Sequence, residues 1–318
     1  FGLAEGLGPD YGLLDKSYNL LIDEMNIFSQ PSVSPIYLIF SSVAANFGLP
    51  FVVITFTCNF IFLVGLFSIL ETLPKPWIAL TLAYPYYIFV FSINYPRQAA
   101  ALGLVLYGYK YLMKLQKLPA LICIIAASLI HVSALFALPV LLSPDRSLLS
   151  KRYLMFFSGL LVLLPAIALT SPSYIHAINS LIGNFFYSGN IYYSRGLWLR
   201  LLPILLGSSL VLLKPSRYLI FGYQKVFYST LIFLLSLLLI LLFISPSFST
   251  VVDRLSAYLL PLAICPIALV PKQFSGLSRI PSIYINLILI SLSWLTLIFW
   301  LAYSPYAYAW FPYKNFLF

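Results

Sequence analysis

Leu118 to Leu142 reads LPALICIIAASLIHVSALFALPVLL, 25 residues without an aspartate, glutamate, lysine or arginine. Such a run crosses a bilayer once as a single helix, or breaks and turns back. The flanking charges separate the two readings. Lys110, Lys114 and Lys117 stand before it, and Arg146, Lys151 and Arg152 stand after it. Short loops rich in lysine and arginine stay on the cytoplasmic side. One crossing would put the two clusters on opposite sides. A break near His131-Val132-Ser133 keeps them together and leaves two halves of about 17 Å each, short of the roughly 30 Å hydrocarbon core. Broken membrane helices are tolerated only where the backbone is buried in protein or lines a cavity. His131 is therefore expected at the tip of a re-entrant or thinly spanning pair, near the outer face. The alternative is one long tilted span that breaks the orientation rule.

The rest of the chain reads the same way. Hydrophobic residues are 62% and charged residues only 8%, against about 25% charged in a soluble chain. That excludes a soluble domain with an ordinary charged surface. Further apolar runs, read as helical spans, are Phe51–Glu71, Trp77–Ile93, Arg97–Lys114, Tyr153–Thr170, Leu199–Leu213, Val226–Ser245, Leu255–Val270 and Ser282–Ser304. With the broken pair near His131, this predicts an all-α, polytopic integral membrane protein of about 10 membrane segments, one membrane-embedded domain over residues 1–318. Lys214, Arg217 and Lys225, then Lys272 and Arg279, with Lys75, extend the cytoplasmic set. The net charge of +10 thus serves orientation, and no nucleic-acid partner is expected. Alternation puts Pro96-Arg97, the loop 171–200 and Pro246–Arg254 outside. Residues 1–47 join them if Ser34–Phe47 is a helix that does not cross. The chain opens on Phe1 and not on methionine, so a further N-terminal piece, with a helix as one reading of it, is expected to precede it.

The outer face collects the residues with chemistry. An arginine at the bilayer centre costs about 2.5–3.5 kcal/mol on insertion scales, so each one needs a reason. Arg97 follows Tyr95-Pro96, and proline is tolerated in a first helical turn. Arg97 would then sit at a helix N-terminus, where free N–H groups and the dipole favour an anion. Its planar fork suits phosphate. The alternative is snorkelling to lipid headgroups. Asp253 and Arg254 open Leu255–Val270, with Asp253 readable as an N-cap. Arg254 would be a second anion contact, and Tyr258, four residues on, would share its helical face. His131 is either a general base near neutral pH or a hydrogen-bonding residue that holds the helix break. Asp10 lies on the same face. Loop 171–200 is rich in tyrosine and asparagine, among them Tyr192 and Tyr193. Aromatic faces and amides suit polyhydroxylated ligands, although tyrosine also marks membrane interfaces. Arg195 is that loop's candidate anion contact. Cys58, Cys123 and Cys265 lie in apolar runs without paired spacing, and there are two histidines, so neither a disulfide framework nor a metal site is expected. No glycine-rich phosphate loop occurs.

Several of these segments resemble one known family. Gly8-Pro9-Asp10-Tyr11, Ser34-Pro35-Ile36-Tyr37 before an apolar helix, and Asn94-Tyr95-Pro96-Arg97-Gln98-Ala99-Ala100-Ala101 resemble the EpsG family of Wzy-like bacterial polysaccharide polymerases. Ile130-His131-Val132-Ser133-Ala134, the Arg254 to Tyr258 segment and Trp310-Phe311-Pro312-Tyr313 follow in the expected order, so the resemblance spans almost the whole chain. Pro9 stands where the family usually has threonine. The resemblance implies a GT-C-like glycosyltransferase architecture, at work at the outer face of the bacterial inner membrane in O-antigen, exopolysaccharide or capsule synthesis. The implied substrates are oligosaccharides on undecaprenyl pyrophosphate, with membrane lipids, a flippase and chain-length regulators as further partners. Polyprenyl pyrophosphate is the leaving group, so no metal and no other cofactor is implied. Arg97 and Arg254 would stabilise it, joined by Arg195. His131 or Asp10 would take the acceptor proton. Asn94, Gln98, Asp253, Tyr258, Tyr192 and Tyr193 would contact substrate. The competing readings are a transporter or flippase for lipid-linked glycans, and a glycan ligase or acyltransferase.

Overall fold

The computed structural model describes residues 34–141, 197–213, 222–244, 248–274 and 282–303, with single positions 12, 15, 16, 18, 19 and 194. Among the described residues every regular element is a helix, so the all-α expectation holds. Helix α1 is Pro35–Asn46 and α2 is Phe51–Leu70. Helix α3 begins at Pro76–Ala83, widens into a π-helix over Tyr84–Phe91 and closes with Ser92–Asn94. Helix α4 is Pro96–Met113 and α5 is Lys117–Ile130. After a 3-10 turn over Val132–Ala137 comes α6, Leu138–Leu141. Helices α7 (Leu197–Leu213) and α8 (Gly222–Ile244) precede α9, Ser249–Ser256, which a 3-10 turn over Ala257–Leu259 joins to α10, Leu260–Phe274. The last described helix, α11, is Ser282–Tyr303.

The expectation of about 10 membrane segments is corrected here. Among the described residues three helices are long and apolar enough to cross a membrane: Phe51–Leu70, Pro76–Asn94 and Ser249–Leu269. The other apolar helices hold apolar stretches of only 10–17 residues, Phe227–Phe243 within Gly222–Ile244 and Ile283–Phe299 within Ser282–Tyr303 among them. An apolar run in the sequence is not a helix of the same length. Leu197–Leu212, for example, falls short of a full crossing, whereas the shortness of Val132–Leu141 agrees with the broken pair expected at His131. Helix α4 has the length but carries Arg97, Lys110 and a stretch of alanine and glycine, which lowers its hydropathy. The expected span Tyr153–Thr170 lies outside the described residues. Nothing in the packing distinguishes a GT-C architecture.

Local chemistry sets the helix boundaries. Pro35, Pro76 and Pro96 each occupy a first helical turn, where the missing N–H removes no hydrogen bond. Pro85 sits inside α3, where its ring would meet the Thr81 carbonyl of a regular helix. The wider π-turn relieves that clash and swings Tyr86 and Tyr87 toward α7 and α9. Two helices end in a Schellman pattern. Gly48 at φ 65° closes α1, with Leu49 N–H donating to the Ala44 carbonyl at 3.0 Å. Leu115 at φ 70° closes α4, with Gln116 N–H donating to the Tyr111 carbonyl at 3.0 Å. That tight corner sends α5 back along α4.

Helices α2, α4 and α5 pack side by side. Gly65 and Gly103 meet backbone to backbone, and a Cβ on either would overlap the other helix. Helix α7 lies on α10 in the same manner, with Gly207 against the Leu262 carbonyl. Such small-residue contacts let helices approach where lipid removes the hydrophobic drive between them. The large apolar side chains divide accordingly. Phe62, Leu66, Leu102, Leu106 and Tyr109 are fully buried, whereas Phe56, Phe60, Val64 and Phe67 on α2 and Leu118, Ile122, Ile125 and Leu129 on α5 are exposed. Those outward stripes suit contact with lipid chains.

Replacing Gly103 by alanine therefore forces two backbones apart, whereas alanine at Gly108 meets the Cys123 Cβ at 3.2 Å and the Ala120 carbonyl at 3.3 Å, contacts that a shift of a few tenths of an ångström relieves. Gly103→Ala is expected to destabilise by about 1–3 kcal/mol or more and Gly108→Ala by clearly less. Thermal unfolding in detergent ranks the two.

Candidate functional site

Three elements that are distant in sequence meet at one end of α4. The opposite end carries Lys110, which donates to Glu71 Oε2 at 2.6 Å. That hydrogen bond, with the ammonium charge, holds the exposed Glu71 carboxyl below the usual carboxylate range. Arg97 occupies the first turn of α4, half-buried, with its guanidinium 5.2 Å above the Tyr37 ring of α1. Next to it, Gln98 Nε2 donates to the Arg254 carbonyl at 2.6 Å and so ties α4 to α9. The exposed Arg254 guanidinium lies 5.6 Å over the Tyr95 ring. Cation–π contact holds a guanidinium in place without cancelling its charge. Among the described residues neither Arg97 nor Arg254 has a carboxylate partner.

The helix breaks at His131, where the sequence placed it. Helix α5 ends at Ile130, and His131 is extended, with φ −152° and ψ 119°. His131 Nδ1 lies 2.6 Å from Ser133 Oγ and 3.4 Å from the Ser133 N–H, which donates to it. Ser133 Oγ lies 2.8 Å from the Tyr258 hydroxyl. Tyr258 is fully buried, and Tyr109 donates to its carbonyl at 3.4 Å. The break is thus a hydrogen-bonded link between α5 and the turn from α9 to α10. The charges of both Arg97 and Arg254 act on His131. Arg97, Gln98, His131, Arg254 and Tyr258 therefore form one cluster. Asn94, at the end of α3, is buried, and its Oδ1 has no hydrogen-bond partner among the described residues.

Asp253 and Tyr258 do not stand as expected. Asp253 is no N-cap: α9 starts at Ser249 after Phe248, and Asp253 lies inside it. Its carboxylate is buried against Arg200 of α7, with Arg200 Nε 2.9 Å from Oδ1. The angle is too poor for a hydrogen bond at that oxygen, so the contact counts as an ion pair. Ser194 Oγ donates to Oδ2 at 3.0 Å, and Arg200 Nη2 also meets Ser194. Arg200 Nη1 reaches the Tyr86 hydroxyl at 3.4 Å. Asp253 is occupied by a neighbouring arginine, where a substrate contact was expected. Tyr258 misses the Arg254 face because the chain tightens to a 3-10 turn at Ala257–Leu259. Asp10, Tyr192, Tyr193 and Arg195 lie outside the described residues.

Four participants escaped the sequence reading. Arg200 carried a signal, since it stands beside an apolar run as Arg97 does, but its partner is 53 residues away in sequence. Tyr37, Tyr95 and Ser133 stood inside quoted motifs, yet the ring and hydroxyl contacts that give them roles are tertiary. Among the described residues no three histidine, cysteine or acidic side chains gather as metal ligands.

The helices and exposed apolar faces define an all-α, multi-pass membrane protein, with two arginines and a histidine gathered at one end of the bundle. The family model described as the EpsG family matches residues 2–315, and the chain belongs to that family. Membership places it among the Wzy-like polysaccharide polymerases, with a general role in handling and polymerising glycans. No curated protein and no solved structure matches the chain.

The Asp253–Arg200 pair is predicted to be structural. Asp253→Ala leaves the half-buried Arg200 guanidinium without its carboxylate and is expected to destabilise by about 3 kcal/mol, the lower end for breaking a buried pair. Arg254→Ala removes an exposed charge and is expected to stay within about 1 kcal/mol of the parent. Thermal unfolding in detergent separates them. An Asp253→Ala protein of normal stability would return Asp253 to the list of substrate contacts.

Proposed function

We propose that this chain lengthens a glycan by metal-independent glycosyl transfer at the outer, periplasmic face of the bacterial inner membrane. Donor and acceptor are oligosaccharide repeat units linked through pyrophosphate to a polyprenyl carrier such as undecaprenol. The acceptor hydroxyl oxygen bonds the anomeric carbon as the bond from that carbon to the pyrophosphate oxygen breaks. The electron pair leaves with polyprenyl pyrophosphate, and the hydroxyl proton passes to a proton acceptor. His131 and Asp10 are the candidates named for that proton.

The observation that carries this reading is the contrast among three arginines. Arg200 is neutralised by Asp253. Arg97 and Arg254 rest on tyrosine rings and keep their charge available. Preorganised positive charge acts most strongly where negative charge develops, which in this reaction is the departing pyrophosphate. The first turn of α4 adds free backbone N–H groups at Arg97. Asn94, with its open buried acceptor, suits a sugar hydroxyl, and Gln98 positions Arg254 through its carbonyl. Arg195, Tyr192 and Tyr193 of loop 171–200 are proposed as outer contacts to the glycan. A flippase and a chain-length regulator would supply substrate and limit its growth.

The test is product length from purified protein and lipid-linked repeat units with no energy source. Lengthening is expected. Transfer of substrate across the membrane without lengthening would overturn the proposal. Arg97→Lys keeps a charge but loses the planar fork, and its turnover is expected to fall at least tenfold, about 1.4 kcal/mol in the barrier, with the unfolding midpoint unchanged. Normal turnover in Arg97→Lys and Arg97→Ala would make Arg97 a lipid-headgroup contact.

A further inference from the structure

The hydrogen bonds at the helix break have a direction. Ser133 N–H can only donate, and it points at His131 Nδ1 at 3.4 Å. Nδ1 must therefore accept, and so carries no proton. Ser133 Oγ, 2.6 Å from the same nitrogen, must then donate its own proton to it. The far end of the chain gives the same polarity. The Tyr258 hydroxyl is fully buried, and Ser133 Oγ, at 2.8 Å, is its one hydrogen-bond partner among the described residues. If the chain ran the other way, the Tyr258 proton would be buried without an acceptor, at the desolvation cost that buried polar groups avoid. The order is Tyr258 O–H to Ser133 Oγ, then Ser133 O–H to His131 Nδ1. A neutral imidazole with Nδ1 bare carries its proton on Nε2. Nε2 makes no hydrogen bond with the described residues. A second proton on the ring would add a third positive charge beside Arg97 and Arg254, which both act on it.

We propose that His131 serves as a neutral hydrogen-bond donor through Nε2, held in that tautomer by Ser133 and Tyr258 as positioning residues, and that it is not the base. This rests on the polymerase reading above and deepens it. The Nε2–H would sit with the two guanidinium groups as a third donor toward the oxygens of the pyrophosphate. The acceptor proton must then go elsewhere, and Asp10 keeps its place as a candidate. The departing pyrophosphate, whose terminal phosphate gains charge as its bond to carbon breaks, is a sufficient acceptor.

Two measurements test this separately. In protein carrying ring-15N histidine, the His131 signals are those that vanish in His131→Gln. Near pH 7 we expect Nδ1 bare and Nε2 protonated in the parent, and a measurable minor share of the other tautomer in Tyr258→Phe and Ser133→Ala, where the backbone N–H of residue 133 at 3.4 Å is left as the one fixed donor to Nδ1. A protonated Nδ1 in the parent overturns the proposal whatever the enzyme does. In the lengthening assay, His131→Gln places an amide N–H close to Nε2, whereas His131→Asn places it close to Nδ1. We expect His131→Gln to lose rate yet remain at least tenfold faster than His131→Asn. The parent rate should hold steady from about pH 8 down to about pH 6. Equal loss in both variants, with a parent rate that falls on acidification through imidazole protonation, would make His131 the base and overturn the proposal while leaving the polymerase reading intact. Absence of lengthening by the parent would defeat that reading, and the nitrogen signals would still decide the tautomer.

Discussion

A guanidinium beside lipid persists only if something shares its charge, and the choice of partner decides what it can do. A carboxylate neutralises it. An aromatic ring holds it in place and leaves the field intact. This chain uses both solutions within one bundle. Arg200 is spent on Asp253, with Ser194 and Tyr86 each accepting from one of its other nitrogens, and the result joins α7, α9 and the π-turn of α3. Arg97 and Arg254 stand on Tyr37 and Tyr95. The fold around them follows from that need. Tyr37 must come from α1, Tyr95 from the end of α3 and the Arg254 carbonyl to Gln98 from α9, so three helices have to converge on the start of α4.

Close convergence is possible because the contacts behind the cluster are made by backbone. Gly65 on Gly103 and Gly207 on Leu262 draw two helix pairs together, and the alanines Ala99 to Ala101 occupy almost no space at the crowded start of α4. Bulky apolar side chains also face outward, where leucines, isoleucines and phenylalanines of α2 and α5 are exposed. Large side chains such as Phe62, Phe91 and Tyr109 fill the inside as well, so the departure from a soluble domain is the apolar outer face, which suits a solvent as apolar as the core. The same packing positions the chemistry. The Tyr109 hydroxyl fixes the Tyr258 carbonyl, which aims Tyr258 at Ser133 and so at the break.

The sequence made some of this legible and hid the rest for physical reasons. The break at His131 was visible because charge parity constrains topology independently of propensity. The start of α4 at Pro96 was visible because proline leaves few options. The number of crossings was misread because apolar runs were counted as spans, and a run does not say where its helix stops. Asp253 was misread as a cap because the segment before it, Pro246 to Thr250, looks like a loop; the helix in fact begins at Ser249, before the apolar run. Its ion pair depends on Arg200, which only tertiary structure brings near. The π-turn was equally hidden, since Pro85 announces a disturbed helix but not which disturbance.

The break also explains why a histidine stands between two apolar helices. A chain that stops a helix inside a bundle must satisfy the backbone groups it frees. Here His131 N–H still donates to the Ala127 carbonyl at 2.9 Å, and the Ala134 N–H returns to the His131 carbonyl at 3.0 Å. The imidazole then accepts from Ser133 N–H and leaves its other nitrogen unused by the described residues. Asparagine or serine could also cap the turn by accepting that N–H. Neither could do so while presenting a second ring nitrogen about 2 Å further out. The residue that ends the helix is therefore also one that can reach beyond it. The charges of Arg97 and Arg254, which the bundle has left open, act on that same ring.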